Sequence, residues 1–134
     1  MPRFAILEHT GAPDDPVGRH FDLLIEAGDA CRTWRLAKLP EPGGQPVAAS
    51  ELPSHRLAWL DHEAGEVSGG RGFARRVDAG TWRSATGEAV DVAASSHLAL
   101  HCAGDVLSGR LEISRDGVAA WRVALAGDAR HARQ

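Results

Sequence analysis

Apolar residues in this chain recur at every second position, in short runs broken by Gly, Pro and Asp. That period belongs to a β-strand, whose side chains alternate between two faces. "HFDLLIE", His20 to Glu26, shows it most clearly. Phe21, Leu23 and Ile25 fall on one face, and His20, Asp22, Leu24 and Glu26 on the other. "FAILEH" (Phe4–His9) reads as a strand before it and "CRTWRLAK" (Cys31–Lys38) as one after it, with "TGAPDDPVGR" and "AGD" as the connections. "LPEPGGQPVAAS" (Leu39–Ser50) reads as a long irregular connection with one helical turn near Ser50, and "RLAWLDHE" (Arg56–Glu63) as a strand. "GEVSGGRG" (Gly65–Gly72) is a tight glycine-rich loop. "FARRVD" (Phe73–Asp78) reads as a strand, and Ala79-Gly80 as a turn into "TWRS". "SHLALHCAG" is a further strand, and "RLEIS" and "AAWRVAL" flank the hairpin signal Asp116-Gly117. No segment holds a long helical period and none repeats at a fixed interval. The expected fold is therefore all-β: a closed or nearly closed barrel of about eight strands with little helix, because closure removes exposed sheet edges.

A chain of 134 residues with 43% hydrophobic content fits a single domain, 1–134, with a real core. The net charge of -3 supplies no broad basic field for coating nucleic acid, though it leaves room for a local phosphate site. The apolar run in "MPRFAILEHTG" is too short for a secretory leader, and no stretch approaches the ~20 apolar residues of a membrane span. Cys31 and Cys102 are too few for a disulfide framework and read as small buried hydrophobes. The expected setting is cytoplasmic.

Seven histidines and no tyrosine stand out. His9 ends the first strand; His20 and Asp22 open the second. Residues two apart on a strand lie ~6.6 Å apart along the chain, close enough for both side chains to reach one ion with donor atoms ~2.0–2.2 Å away. Two imidazoles and a carboxylate suit a divalent transition metal and leave positions open. The spacing alone equally fits a solvated or barrel-lining polar face. His55 precedes a strand and is placed to donate a proton or hydrogen bond. Lys38 stands four residues after Trp34, and Arg71 sits inside a flexible loop suited to an anion; both also read as ordinary surface cations. His62, His97, His101 and His131 have weaker cases. Walker A, GxGxxG, GxSxG, CxxC and HExxH motifs are absent.

Taken in order, "FAILEH", "RHFDLLIE", "CRTWRLAKLP", "LPSHRLAWLDHEAGEVSGGRG", "VDAGTW", "HLALHCAGDVLSGRLEISR" and "AAWRVAL" resemble the 3'-phosphoesterase domain of bacterial DNA ligase D, from about Phe4 to Leu125. The resemblance implies a compact β-barrel that trims damaged or ribonucleotide 3' ends of DNA with a bound metal, usually Mn²⁺, with Zn²⁺ or Co²⁺ as alternatives. It implies His9, His20 and Asp22 as metal ligands, His55 as the catalytic histidine and Lys38 as a catalytic and phosphate-binding lysine; Arg71 sits where the loop departs from the family pattern and, from its placement alone, is expected to replace a lost phosphate cation. The expected partners are a DNA 3' end, primer-template or ribonucleotide-tipped, and a repair ligase or polymerase, with no membrane. The resemblance implies a stand-alone form, and the chain begins at the first strand, without the arm that often precedes the domain. The family's arginine two residues after the aspartate is Leu24 here, and Val47 stands where another arginine falls, eight before His55. These losses leave open a catalytically weak relative that binds 3' ends or a ligase or polymerase partner without hydrolysis. A small-ligand-binding barrel with incidental histidines is a further alternative. If the chain is active, the loss of cations implies a preference for a 3'-terminal diester over a 3'-phosphate.

Overall fold

Residues 1–15 and 18–127 are described in a computed structural model. Nine strands form one sheet: β1 (Arg3–Thr10), β2 (Arg19–Ala27), β3 (Ala30–Leu36), β4 (Val47–Arg56), β5 (Ala64–Glu66), β6 (Phe73–Ser84), β7 (His97–Ala103), β8 (Ser108–Arg115) and β9 (Trp121–Leu125). Each pairs antiparallel with its neighbours in the order β1-β2-β3-β4-β9-β8-β7-β6-β5, and β6 also pairs with β1. Hydrogen bonding thus runs in a ring through eight strands, with β5 added beside β6. The ring is thinnest where β4 meets β9, through Val47↔Val123 to Ala49↔Trp121 alone. The expected all-β, barrel-like architecture is present.

The alternation decides which residues fill the ring. Phe4 and Ile6 of β1, Phe21, Leu23 and Ile25 of β2, Trp34 and Leu36 of β3, and Leu98, Leu100, Leu111, Ile113, Trp121 and Val123 from the far side form one buried cluster. Each such side chain contributes about 1.5–3 kcal/mol relative to exposure. The opposite face of β1–β3 is not simply wet. Ala5, Leu7, Leu24 and Cys31 make a second, smaller cluster outside the ring, closed by Leu60 with Leu57 and Trp59 packed against it. Burial pushes the Cys31 thiol up to about 11 and that of Cys102 to about 12, so both behave as apolar groups.

Four local expectations fail, the first because Gly65 and Glu66 of the expected glycine-rich loop pair with β6 as part of β5. Val47–Arg56 is a ten-residue strand, so the irregular connection ends at Pro46 and Ser50 is extended rather than helical. Pro53 is tolerated because it falls in the irregular stretch of the β3–β4 ladder, between the Leu52↔Thr33 and His55↔Cys31 pairs, where β4 has also left β9. Arg56–Glu63 is not a strand: Leu57–Asp61 forms a 3₁₀ turn, which places Leu57 and Leu60 on one side over the outer cluster. Ala79-Gly80 does not turn but lies within the twelve-residue β6. Gly80 is there for close approach, since a Cβ would stand 2.1 Å from the Ala103 carbonyl oxygen.

Candidate metal centre and groove

His9, His20 and Asp22 come together on the outer face of the ring. Register accounts for this: His9 lies directly opposite His20 across β1–β2, and Leu7 opposite Asp22. All three point away from the interior cluster because they share parity with Leu7 and Leu24. The imidazole centroids are 4.8 Å apart, and one ligand atom from each residue lies within 4.8 Å of the others. His20 and Asp22 are buried.

The outer hydrogen bonds set the tautomers. His20 Nδ1 donates to Asp15 Oδ2 at 2.8 Å, and His9 Nε2 donates to the Arg71 carbonyl oxygen at 2.6 Å. Both partners are acceptors, so in neutral rings the lone pairs sit on His20 Nε2 and His9 Nδ1. These nitrogens face the Asp22 carboxylate: His20 Nε2 is 3.3 Å from Oδ1 and His9 Nδ1 is 3.7 Å from Oδ2. His20 Nε2 and Asp22 Oδ1 are both buried with no hydrogen-bond partner among the described residues. Three electron-rich donors thus converge with nothing positive between them. Burying such acceptors is costly unless a cation satisfies them, and the His9/His20/Asp22 group can hold a metal ion. Burial lowers the pKa of His20, but the Asp22 and Asp15 carboxylates outweigh it and raise the pKa above the usual 6.5.

The loop that carries Arg71 is tied down by glycine. Gly72 has φ +95°, and a Cβ there would meet the Thr10 carbonyl oxygen at 2.1 Å and the Gly11 carbonyl carbon at 2.8 Å. Only glycine lets this loop approach the end of β1 closely enough to bring the Arg71 carbonyl to His9. Val67 N–H closes the loop by donating to the Gly72 carbonyl at 2.7 Å.

A groove of about 680 Å³ runs beside this centre, lined among others by His9, Asp22, Arg35, His55, Trp59 and Arg71. His55 therefore shares a cavity with two of the candidate ligands. Its Nδ1 donates to the Pro53 carbonyl at 3.0 Å, which leaves Nε2 as the nitrogen able to exchange a proton. Arg71 lines the groove, but its guanidinium donates to the Ser68 carbonyl (2.7 Å) and hydroxyl (3.0 Å). Lys38 is exposed past the end of β3 and is not among the groove's lining residues. His62 donates to the Ala74 carbonyl at 2.9 Å. His97 and His101 lie on β7, away from the groove lining, and His131 falls outside the described residues.

Sequence reasoning missed three residues here: Asp15, Trp59 and Arg35. Arg35 was accessible to it. The two-residue connection Gly28-Asp29 sets the β2–β3 register, which places Arg35 directly opposite Asp22. Asp15 and Trp59 carried no such signal, because a loop and a 3₁₀ turn deliver them. Compared with protein-family models and with curated proteins, the sequence matches none.

Proposed function

We propose that the chain is a metal-dependent 3'-end phosphoesterase of DNA repair, acting on DNA or ribonucleotide-tipped 3' ends with Mn²⁺ as the usual ion and Zn²⁺ or Co²⁺ as substitutes. The observation that supports it best is the convergence of His9 Nδ1, His20 Nε2 and an Asp22 carboxylate whose Oδ1 is buried with no hydrogen-bond partner among the described residues. When bound, the ion would supply Lewis acidity toward a phosphoryl oxygen. The remaining work falls to the chain itself. Asp15 and the Arg71 carbonyl hold the imidazoles in the ligating tautomer. His55, across the groove, gives a proton to the leaving oxygen or stabilises its developing charge from Nε2. Trp59 and the 3₁₀ turn that carries it wall the groove on that side.

The test is metal-dependent release of phosphate or nucleoside from primer-templates ending in a 3'-phosphate or a 3'-ribonucleotide. His55→Ala is expected to lower turnover by about 10²–10⁴-fold while sparing metal binding, and His62→Ala, outside the groove, to be mild. Absence of any metal-dependent product from either end would overturn the reading. One observation favours the weaker relative that binds an end, or a ligase or polymerase partner, without hydrolysis. Leu24 and Val47, where the resemblance places arginines, are both buried, so neither position presents a cation to the groove.

A further inference from the structure

The strongest unused feature of the groove is a cation on the strand next to the candidate ligands. Arg35 lies on β3, directly opposite Asp22 on β2. It lines the groove, and its side chain is only 25% exposed. Its Nε is buried and has no hydrogen-bond partner among the described residues. Among the described residues, its guanidinium donates from Nη1 to Asp14 Oδ2 at 3.3 Å, a long bond to a carboxylate 70% exposed on the surface loop. Such a bond, open to water, is weak and readily exchanged. A buried guanidinium N–H without an acceptor costs free energy until an acceptor arrives.

The other candidate cations are placed differently. The Arg71 guanidinium is already bound twice to Ser68. Arg56 is exposed at the end of β4. Lys38 does not line the groove.

We propose that Arg35 is the oxyanion-binding residue of this groove, taking the phosphoryl group of the ligand in a fork while the His9/His20/Asp22 centre faces another of its oxygens. The inference rests on the function proposed above and deepens it. The cation that Leu24 does not supply from β2 arrives from the neighbouring strand. Guanidinium geometry matches a tetrahedral oxyanion with two parallel N–H donors. Asp14 acts as the occupant that the ligand displaces.

The test titrates inorganic phosphate into Mn²⁺-loaded protein by calorimetry, with Mn²⁺ affinity and melting temperature measured for each variant. Arg35→Gln is expected to raise the phosphate Kd by about tenfold or more, the loss typical of a charge-assisted pair, with Mn²⁺ affinity close to wild type. Arg35→Lys should fall between them, Arg56→Gln and Arg71→Gln should weaken phosphate less than Arg35→Gln does, and Asp14→Asn should tighten it. Unchanged phosphate affinity in Arg35→Gln, or an equal loss in Arg56→Gln or Arg71→Gln, would overturn the assignment. Should Arg35→Gln fail to fold, Arg35→Lys and Asp14→Asn decide: wild-type affinity in both removes Arg35. If the wild type binds no Mn²⁺, the proposed function fails separately. The same titration on metal-free protein then judges Arg35, with loss in the variant supporting it and no Arg35-dependent binding removing it. Oligonucleotides ending in 3'-phosphate and 3'-hydroxyl identify the source. Arg35-dependent displacement of phosphate by the first alone assigns a nucleic-acid end. Displacement by neither, with phosphate still Arg35-dependent, assigns a small free phosphate.

Discussion

Two buried aspartates, on the two strands that flank β1, have opposite surroundings. Asp78 on β6 and Asp22 on β2 are each 6% exposed. Asp78 accepts three backbone N–H groups, from Asp105 at 3.0 Å, Val106 at 3.1 Å and Leu107 at 2.7 Å, and so holds the β7–β8 connection against the end of the barrel. Gly104 completes the fit, since a Cβ there would stand 2.6 Å from Asp78 Oδ2. Asp22 faces two imidazole nitrogens, and its Oδ1 has no hydrogen bond among the described residues. Equal burial therefore hides unequal roles. A carboxylate whose lone pairs are all met by amides is structural, whereas one aimed at other acceptors is waiting for a cation.

The comparison is broken most forcefully at Asp78. Asp78→Ala leaves the buried Leu107 amide and the part-buried Asp105 and Val106 amides without their acceptor, at about 1–3 kcal/mol for the buried group and less for the others, so a loss of about 3–4 kcal/mol in a denaturant titration is expected, with or without metal. Asp22→Ala should behave in the reverse way. Stability without metal should change little, but the gain from Mn²⁺, about 2.7 kcal/mol at a hundredfold excess over Kd, should vanish from the melting curve. If Asp22→Ala keeps that gain, the contrast between the two residues collapses. Gly72→Ala tests the support behind His9. Strain at a positive φ, about 1–3 kcal/mol, together with the collision at Thr10, should destabilise the fold and weaken Mn²⁺ binding in the same variant.

The smallest effect is that of pH. The raised His20 pKa stabilises the metal-free fold below the ordinary value near 6.5, and that contribution is lost as pH rises through the folded pKa. Metal binding needs the neutral ring and runs the other way. The Mn²⁺-induced rise in melting temperature should therefore be larger at pH 8 than at pH 6. An increment that does not change with pH would remove His20 from the ligand set.

Much of this was legible in the chain. Period-two runs located most of the strands, and the pairing of His20 with Asp22 on one face of "HFDLLIE" was visible before any pairing was known. The hidden strand, Val47–Arg56, was masked by the Gly and Pro before it and by Pro53 within it. The 3₁₀ turn was masked because Leu57 and Trp59 mimic strand alternation. Likewise Ala79-Gly80 looked like a turn, although Gly80 serves strand contact and Asp78 just before it holds a distant loop.

By itself the sequence determined the class of fold, the two faces of each strand and, through short hairpins such as Gly28-Asp29, the pairing of neighbours. All of these are local consequences of side-chain alternation and turn geometry. Only the tertiary structure decided that the polar face of β2 lies outside the barrel yet under cover. Closure of β1 on β6 turned one face inward, and the segment from the 3₁₀ turn to Gly72 folded back over the other. The bond from His9 to the Arg71 carbonyl joins residues 62 positions apart. No local period encodes a contact of that range, because strand periodicity sorts side chains between two faces without saying what will cover either one.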